Sequence, residues 1–244
     1  TAAPYTGDYF NALMVVGAAL GAVYRAQKTG EGESIDLAMY ETMLRVGVYY
    51  MVDYLNKGIE YPRAGARNQN LCAIGQYKTK DSFIGLCVYG VPQNKYLLET
   101  TGLGHLWGTE EYPEDCSALW LSSSQAPLIE RKLEEYLLTR TADEVEKDFT
   151  AHKIAAQKML TFDDILAEEH TKARENFMEW QNKDGQTIKG LNTVPRFARR
   201  PGQFWRPMPA LGYDTRDILQ KAGFSDEDLA RFESSGSVKF GDAE

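Results

Sequence analysis

The sequence has few of the residues that disulfide frameworks and metal sites require. Its 244 residues include only three histidines and three cysteines, Cys72, Cys87 and Cys116. No two cysteines have CxxC spacing, so we expect neither a disulfide framework nor a metal site. Reduced thiols favour a cytoplasmic location. Sequence patterns for a catalytic Ser/His/Asp triad, a zinc protease or a phosphate-binding glycine loop are also missing.

Long hydrophobic runs and an excess of positive charge are missing as well. The most apolar stretch, residues 12–23, is shorter than a membrane span, and its glycines and alanines favour a tightly packed buried helix. We therefore expect no membrane partner. The chain has 27 Lys and Arg against 35 Asp and Glu, a net charge of −8. Because binding to phosphate backbones needs a basic face, this balance disfavours nucleic acid as a partner.

One local basic run departs from that balance. It comprises four arginines, Arg196, Arg199, Arg200 and Arg206. An anionic ligand and a solvated rim explain this run equally well.

The residues that are present have globular proportions, with 43% apolar and 25% charged side chains, which excludes disorder over the whole length. Hydrophobic spacing predicts helices over Tyr9–Lys28 and from Tyr40 to Asn56, with a strand over Ser34–Met39 between them. A loop or domain crossing follows over residues 61–75.

Helices and short strands alternate through the remaining sequence. We predict a hairpin over residues 76–78 and 83–88, a helix over 127–138, a strand over 153–160, and a second hairpin over 177–180 and 187–189 with Asp184-Gly185 at its turn. Further helices are predicted to begin at Thr141, Thr161, Asp214 and Ser225. The pattern indicates an α/β protein with an inserted α+β unit and too few strands near the first helices to complete a parallel sheet.

Asp8 is the carboxylate with the most suggestive position. It stands at the start of the glycine-rich first helix, where unpaired backbone N–H groups and the positive end of the helix dipole stabilise a negative charge. A carboxylate held there is suited to nucleophilic catalysis. An ordinary helix N-cap explains the same position.

Two other groups of residues also allow two interpretations. Gly75 and Gln76 fit the turn before a strand, or a loop whose backbone N–H groups stabilise an oxyanion. Tyr49, Tyr50 and Tyr54 fit core packing, or a cage for a quaternary ammonium group, whose charge is attracted to aromatic faces.

Motifs near both ends of the sequence resemble class III CoA-transferases. They are Gly7–Phe10 with its small-residue helix, Lys28–Asp36, Pro201–Gln203, Leu211–Thr215, Ile218-Leu219 and Gly223–Ser225. Within that family, Met39–Arg45, Tyr50-Met51, Asp53-Tyr54 and Phe204–Pro209 are most similar to the L-carnitine CoA-transferase branch.

The resemblance implies that this sequence corresponds to the C-terminal part of a longer enzyme, and its start without Met indicates a processed, split or truncated product. Residues 1–62 would then belong to a large Rossmann-like domain, residues 63–180 to a small α+β domain, and residues 181–244 to the return into the large domain. The expected partners are the N-terminal half of the enzyme, supplied by a second polypeptide, and a second copy in an interlocked homodimer.

The resemblance also implies a chemistry. Asp8 matches the family's catalytic aspartate, which forms a mixed anhydride and then an aspartyl-CoA thioester. Coenzyme A is a substrate, and no tightly bound cofactor is implied. Relatives cover the site with a glycine-rich loop, but the matching segment, residues 71–76, has one glycine, Gly75. A betaine-type substrate such as carnitine would be received by Tyr49, Tyr50, Asp53 and Tyr54.

Two alternatives stay open at the level of sequence. The same scaffold supports α-methylacyl-CoA racemisation, which requires general bases instead of a nucleophile. The chain is equally compatible with an inactive fragment or interaction subunit in which Asp8 only caps a helix.

Overall fold

The structure, a computed structural model, describes residues 5–47, 49–182 and 185–241. It divides into two units, Thr1–Met159 and Leu160–Glu244. The domain boundaries expected at residues 62 and 180 stay predictions.

Unit 1 begins with three helices, α1 (Thr6–Thr29), α2 (Met39–Val46) and α3 (Tyr50–Lys57). The first predicted helix is confirmed, and Gly30 ends it with φ +77°, a left-handed conformation that glycine adopts without steric cost. The second predicted helix is wrong as a single element. The N–H of Gly47 bonds to the carbonyl groups of Met43 and Leu44, which ends α2, and Val48 lies outside the described residues.

The predicted strand over Ser34–Met39 is also wrong. Residues 31–38 have no regular structure, and Met39 instead begins α2. Alternating hydrophobicity alone does not make a strand, because a strand needs a neighbour to satisfy its backbone groups. No described strand pairs with this segment.

The centre of unit 1 is a three-stranded antiparallel sheet with flanking helices. Its strands are β1 (Ile74–Lys78), β2 (Phe83–Cys87) and β3 (Ala155–Lys158), in the order β1-β2-β3. The predicted hairpin is confirmed, with Gly75 opposite Leu86 and Tyr77 opposite Ile84. Between β2 and β3 lie α4 (Val91–Thr100), a 3₁₀ turn (Gly104–Leu106), α5 (Ala126–Leu138) and α6 (Ala142–Ala151). Sequence periodicity did not predict α4.

The hydrophobic core lies around this sheet. All its fully buried members fall between residues 72 and 154, and they include Tyr77, Ile84, Leu97, Leu133 and Phe149. Thr42 is the single buried residue among the described positions of residues 5–62.

α1 differs from the buried helix that its composition predicts. None of its residues is buried, and Tyr9, Leu13 and Leu20 are each at least 66% exposed. Its 24 residues make it the one helix in the described part of the chain that is long and apolar enough to cross a membrane, so the expectation of no such segment is wrong. This is weak evidence for a span, because core helices of soluble proteins meet the same criterion.

Unit 2 contains four helices and a hairpin in its described residues. The helices are α7 (Phe162–Ala167), α8 (Glu169–Ala173), α9 (Thr215–Lys221) and α10 (Asp226–Ser234), and the hairpin pairs β4 (Phe177–Gln181) with β5 (Thr187–Leu191). Asp184, at the predicted hairpin turn, lies outside the described residues. Leu229 is the single buried hydrophobic side chain described in this unit.

Three predicted helix starts are confirmed by capping boxes. The hydroxyl groups of Thr141, Thr161 and Ser225 each accept a hydrogen bond from the backbone N–H three residues later, and each partner's carboxylate bonds back. These reciprocal bonds satisfy two otherwise unpaired donors at each helix start.

Candidate active site

Asp8 is the third residue of α1, inside its first turn. The N-cap is Tyr5, with φ +62° and no side-chain capping bond, so the interpretation of Asp8 as an N-cap is wrong. The Asp8 side chain is exposed. Among the described residues it forms no hydrogen bond or ion pair, which leaves both carboxylate oxygens accessible.

Contacts with α2 hold the first turns of α1. A Cβ added at Gly7 would lie 3.2 Å from the Met39 sulfur, so the two helix starts pack closely and a larger residue here would displace the Met39 side chain. One turn further on, the Thr42 hydroxyl donates a hydrogen bond of 3.0 Å to Asn11 Oδ1. These contacts set the position of the Asp8 backbone.

The first turn of α1 suits a carboxylate nucleophile. Its N–H groups lack helical carbonyl partners, and the positive end of the helix dipole stabilises negative charge close by. A carboxylate that is exposed and unpaired can approach an electrophilic carbonyl carbon without first breaking a salt bridge. The position therefore favours nucleophilic chemistry on a carbonyl group.

The tyrosines form a cluster around a residue that sequence reasoning missed, Tyr61. The ring centroids of Tyr49 and Tyr50 are 4.7 Å apart, and the Tyr61 ring is 6.0 Å from Tyr49 and 5.0 Å from Tyr50. Burial and the neighbouring Tyr49 raise the pKa of Tyr50. Tyr61 follows α3 in an irregular segment, so helical spacing gave no signal for it.

Asp53 joins the same cluster through its carboxylate. The Tyr61 hydroxyl donates to Oδ2 at 2.6 Å, and the Lys57 ammonium donates to Oδ1 at 3.0 Å. These two donors lower the pKa of Asp53. Since both oxygens already have partners, Asp53 holds Tyr61 against α3, and its charge is balanced by Lys57.

Gly75 and Gln76 lie in β1, so the interpretation as the start of a strand is confirmed. The Gln76 N–H donates to the carbonyl oxygen of Ala66 at 2.9 Å, and that donor is therefore not free for an oxyanion in this conformation. Gly75 has φ +141°, and a Cβ there would lie 2.7 Å from Arg67 Cα. No hydrogen bond or ring contact among the described residues links either residue to the tyrosines.

Arg67 holds in place the backbone segment that packs against Gly75. Its guanidinium donates to Glu130 at 2.8 Å and to the Gln76 carbonyl at 2.7 Å, and it lies 3.4 Å above the Tyr77 ring. Glu130 also accepts from the Ala73 N–H and the Tyr77 hydroxyl. Burial raises the pKa of Tyr77 well above its usual value. This network is structural, and it joins Glu130 to residues 53 to 63 positions away, which sequence spacing cannot reveal.

Metal chemistry has no obvious ligand set in the part of the chain that the structure describes. No three His, Cys, Asp or Glu side chains there are grouped to hold an ion. All three cysteines are free thiols.

Comparison with known proteins places these features in a family. The model of CoA-transferase family III matches residues 1–215. Similar solved structures include a CAIB/BAIF family protein from Brucella suis, with 21% identity and a TM-score of 0.64 over 91% of this chain and 56% of that one. Rv3272 from Mycobacterium tuberculosis is similar at 20% identity and a TM-score of 0.60, over 81% and 50%.

A mutant of Rv3272 gives a TM-score of 0.66 at 18% identity, over 86% of this chain and 54% of that one. At these identities the structures establish a common fold. The chain spans about half the length of each of these three.

Proposed function

This chain belongs to CoA-transferase family III, a family of enzymes, and on that premise we propose that it provides the nucleophile, Asp8, of a transferase that moves CoA between small carboxylic acids. The observation that carries the proposal is the Asp8 side chain, which lies exposed in the first turn of α1 and has no partner within residues 5–47, 49–182 and 185–241. The family supplies the reaction class, and the helix start supplies the electrostatic environment that the reaction needs.

The proposed reaction begins when an Asp8 oxygen attacks the thioester carbon of the acyl-CoA donor. The C–S bond breaks, CoA leaves as a thiolate, and a mixed anhydride remains. The thiolate then attacks Asp8 Cγ, the anhydride C–O bond breaks, and the first acid leaves as its carboxylate. An aspartyl-CoA thioester is left on the enzyme.

The second half runs the same steps in reverse. The carboxylate of the acceptor acid attacks Asp8 Cγ and displaces the thiolate, which gives a second mixed anhydride. The thiolate attacks the acceptor's carbonyl carbon, the new acyl-CoA leaves, and the Asp8 carboxylate is regenerated. Both anhydrides hydrolyse readily, so the complete site must exclude water.

We further propose that the acids are betaines such as carnitine, crotonobetaine and γ-butyrobetaine. Support comes from the resemblance of Met39–Arg45 and Phe204–Pro209 to the carnitine branch. The tyrosine cluster next to α3 adds support, since aromatic rings attract a trimethylammonium group. Tyr49, Tyr50, Asp53, Tyr54, Gly75 and Gln76 remain the proposed substrate-binding residues.

The proposal includes the rest of a longer enzyme as a partner. Tyr9, Leu13, Val16, Leu20 and Val23 on α1 are each between 55% and 70% exposed, a continuous apolar surface that soluble proteins cover. This chain covers 56% and 50% of two related solved chains. The N-terminal half, within an interlocked cytoplasmic homodimer, is the proposed cover, and it completes the Rossmann-like domain and the CoA site.

The test is a denaturing mass spectrum with peptide mapping, taken after the protein is incubated with crotonobetainyl-CoA. We expect the Asp8 peptide to gain either the acyl group or CoA less one water. Asp8→Asn removes the nucleophile and abolishes the adduct. Glu41→Gln is the matched control, because Glu41 is also exposed and also the third residue of its helix, α2.

Two results would contradict the proposal. An adduct that persists in Asp8→Asn would show that another residue is the nucleophile. A 2-methylacyl-CoA whose configuration scrambles with no adduct would instead identify a racemase.

A further inference from the structure

A cleft of about 400 Å³ opens on the outer side of the tyrosine cluster. Tyr50 and Tyr54 of α3 line it, together with Glu60, Tyr61 and Gln69 from the segment that follows α3. Of these residues, Glu60, Tyr61 and Gln69 were not singled out in the sequence. The cleft therefore brings together residues that lie up to 19 positions apart.

One charged group of this cleft is without a partner. Glu60 is exposed and forms no ion pair or hydrogen bond within the described residues. The Gln69 amide is already engaged, since Nε2 donates to the Pro62 carbonyl at 2.7 Å. An exposed carboxylate without a partner leaves a negative charge that a cationic ligand can neutralise.

The lysine of α3 is already paired. Lys57 bonds to Asp53, which also holds the Tyr61 hydroxyl. Among the residues that line the cleft, the charged one is Glu60. Two further aromatic rings, those of Tyr50 and Tyr54, add the negative potential of their faces.

The interior of the tyrosine cluster has no room for a cation. Its three ring centroids are 4.7 to 6.0 Å apart, so the rings contact one another. A trimethylammonium group between two ring faces would need those centroids roughly 9 Å apart, since it sits about 4.5 Å from each. A cation can therefore contact these tyrosines on the outside of the cluster, where Tyr50 and Tyr61 line the cleft.

We propose that this cleft binds the onium head of a zwitterionic carboxylic acid, with Glu60 as the counter-charge and Tyr50 and Tyr54 as aromatic walls. The identity of the ligand as a betaine acid rests on the proposed function. The cleft itself is assigned from its own charges and rings. Of the proposed substrate-binding residues, Tyr49 and Asp53 act through their contacts with Tyr50 and Tyr61.

Binding is tested directly by NMR, without any transfer reaction, on the chain with ¹³C-labelled methionine methyl groups. Met51 lines the cleft and reports on occupancy, and Met208, in unit 2 and 89% exposed, is the internal reference. Tetramethylammonium and γ-butyrobetaine are titrated in turn. We expect the Met51 methyl signal to shift saturably with both ligands and the Met208 signal to stay in place. A Met51→Leu sample assigns the signal.

Two probes decide which feature of the head group is recognised. The carbon isostere of γ-butyrobetaine is 5,5-dimethylhexanoate, in which an uncharged tert-butyl group replaces the trimethylammonium group. It should bind at least about 5-fold more weakly, because its head group lacks the positive charge that Glu60 and the rings attract. 4-Aminobutanoate carries an ammonium without methyl groups. Tighter binding of γ-butyrobetaine than of 4-aminobutanoate supports a betaine, and the reverse order overturns that part of the proposal.

Variants separate the charge from the ring. Glu60→Gln should weaken γ-butyrobetaine binding by about 5-fold, since an exposed charge pair contributes up to about 1 kcal/mol. Glu110→Gln removes an exposed carboxylate elsewhere and should have no effect. Tyr54→Phe keeps the aromatic wall and should bind normally, whereas Tyr54→Leu should lose about 3-fold or more.

The outcomes also separate this inference from the proposed function. Asp8→Asn should leave onium binding unchanged. If the Asp8 adduct forms but the Met51 signal does not move, or the neutral isostere binds as tightly as the betaine, the cleft assignment is wrong and the transferase stands. If the cleft binds the betaine but no adduct forms, the transferase proposal fails and the cleft assignment stands.

Discussion

The hydroxyl of Thr42 donates a hydrogen bond of 3.0 Å to Asn11 Oδ1. Asn11 lies one turn after Asp8 on α1, and Thr42 is the single buried residue among the described positions of the first three helices. The bond therefore joins α2 to the part of α1 that carries the proposed nucleophile. It is the polar counterpart of the contact between Gly7 and Met39.

Thr42→Val is expected to loosen the start of α1. Valine keeps the shape of threonine but removes the donor, which should cost about 1 kcal/mol of stability. We expect faster amide hydrogen exchange in the first turns of α1 and slower formation of the Asp8 adduct. Thr42→Ser retains the hydroxyl and serves as the control. Exchange that is equal in the valine and serine variants would show that the bond does not hold the helix.

Gly75→Ala is expected to destabilise unit 1 strongly. The φ of +141° and the backbone of Ala66 and Arg67 leave no space for a Cβ, so we expect a loss of about 2 kcal/mol or more. Gly85→Ala, in β2, is the matched control, because a Cβ there would make ordinary contacts of 3.7 Å. Urea unfolding measures both. Similar urea midpoints for the two variants would rule out the close approach of the Ala66 and Arg67 backbone to Gly75.

Cys72 should make unit 1 less stable at alkaline pH. Burial, and then the charge of Glu130, raises the pKa of this thiol from 9.0 to about 12. The contribution of the buried Cys72 thiol to the free energy of unfolding is complete below pH 9, where the thiol is protonated in both the folded and the unfolded protein. This contribution is lost as the pH rises towards 12, because the thiol ionises first in the unfolded protein. The free energy of unfolding then falls by about 1.4 kcal/mol per pH unit.

The alkaline effect can be isolated by comparing the chain with Cys72→Ala. Between pH 8 and pH 10.5, the unfolding free energy should fall more in the unsubstituted chain. The same buried position predicts that iodoacetamide modifies the exposed Cys87 before Cys72. An equal fall in both proteins would mean that Cys72 titrates normally.

Unit 2 should lose stability in acid through Asp214. The Arg206 guanidinium donates two hydrogen bonds to this carboxylate, at 2.7 and 2.8 Å, and lowers its pKa. Because the pKa of Asp214 is lower in the folded protein, the ion pair stabilises the fold fully at pH values above the pKa of the unfolded chain, about 4. This stabilisation is lost as the pH falls through the lower pKa of the folded protein.

Amide exchange of residues 205–221 should therefore accelerate below about pH 4 beyond its intrinsic pH dependence. Asp214→Asn should show faster exchange at pH 6 and a flatter response to acid. Asp217→Asn is the control, since its partner Lys221 lies on the same exposed helix surface. Identical acid responses in the two variants would contradict a stabilising role for the pair.

Local sequence signals predicted the local structure well. Thr141, Thr161 and Ser225 were predicted to start helices, and each forms a capping box, because the two partners lie three residues apart and need no other element. The strand predicted at Ser34 failed for the opposite reason. A strand depends on a distant partner, and its own alternation does not supply one.

Sequence alone predicts the family, the apolar helix α1 with Asp8 near its start, and the tyrosine-rich segment of α3. Those features are carried by motifs and by spacing along the chain. The structure was needed to show that Asp8 has no partner in the part of the chain that it describes, and that the Gln76 N–H bonds to the Ala66 carbonyl. It was also needed to show that Glu60 and Gln69 line the same cleft as Tyr50 and Tyr54. Each depends on contacts between residues from separate elements, and backbone geometry creates such contacts without leaving a pattern in the sequence.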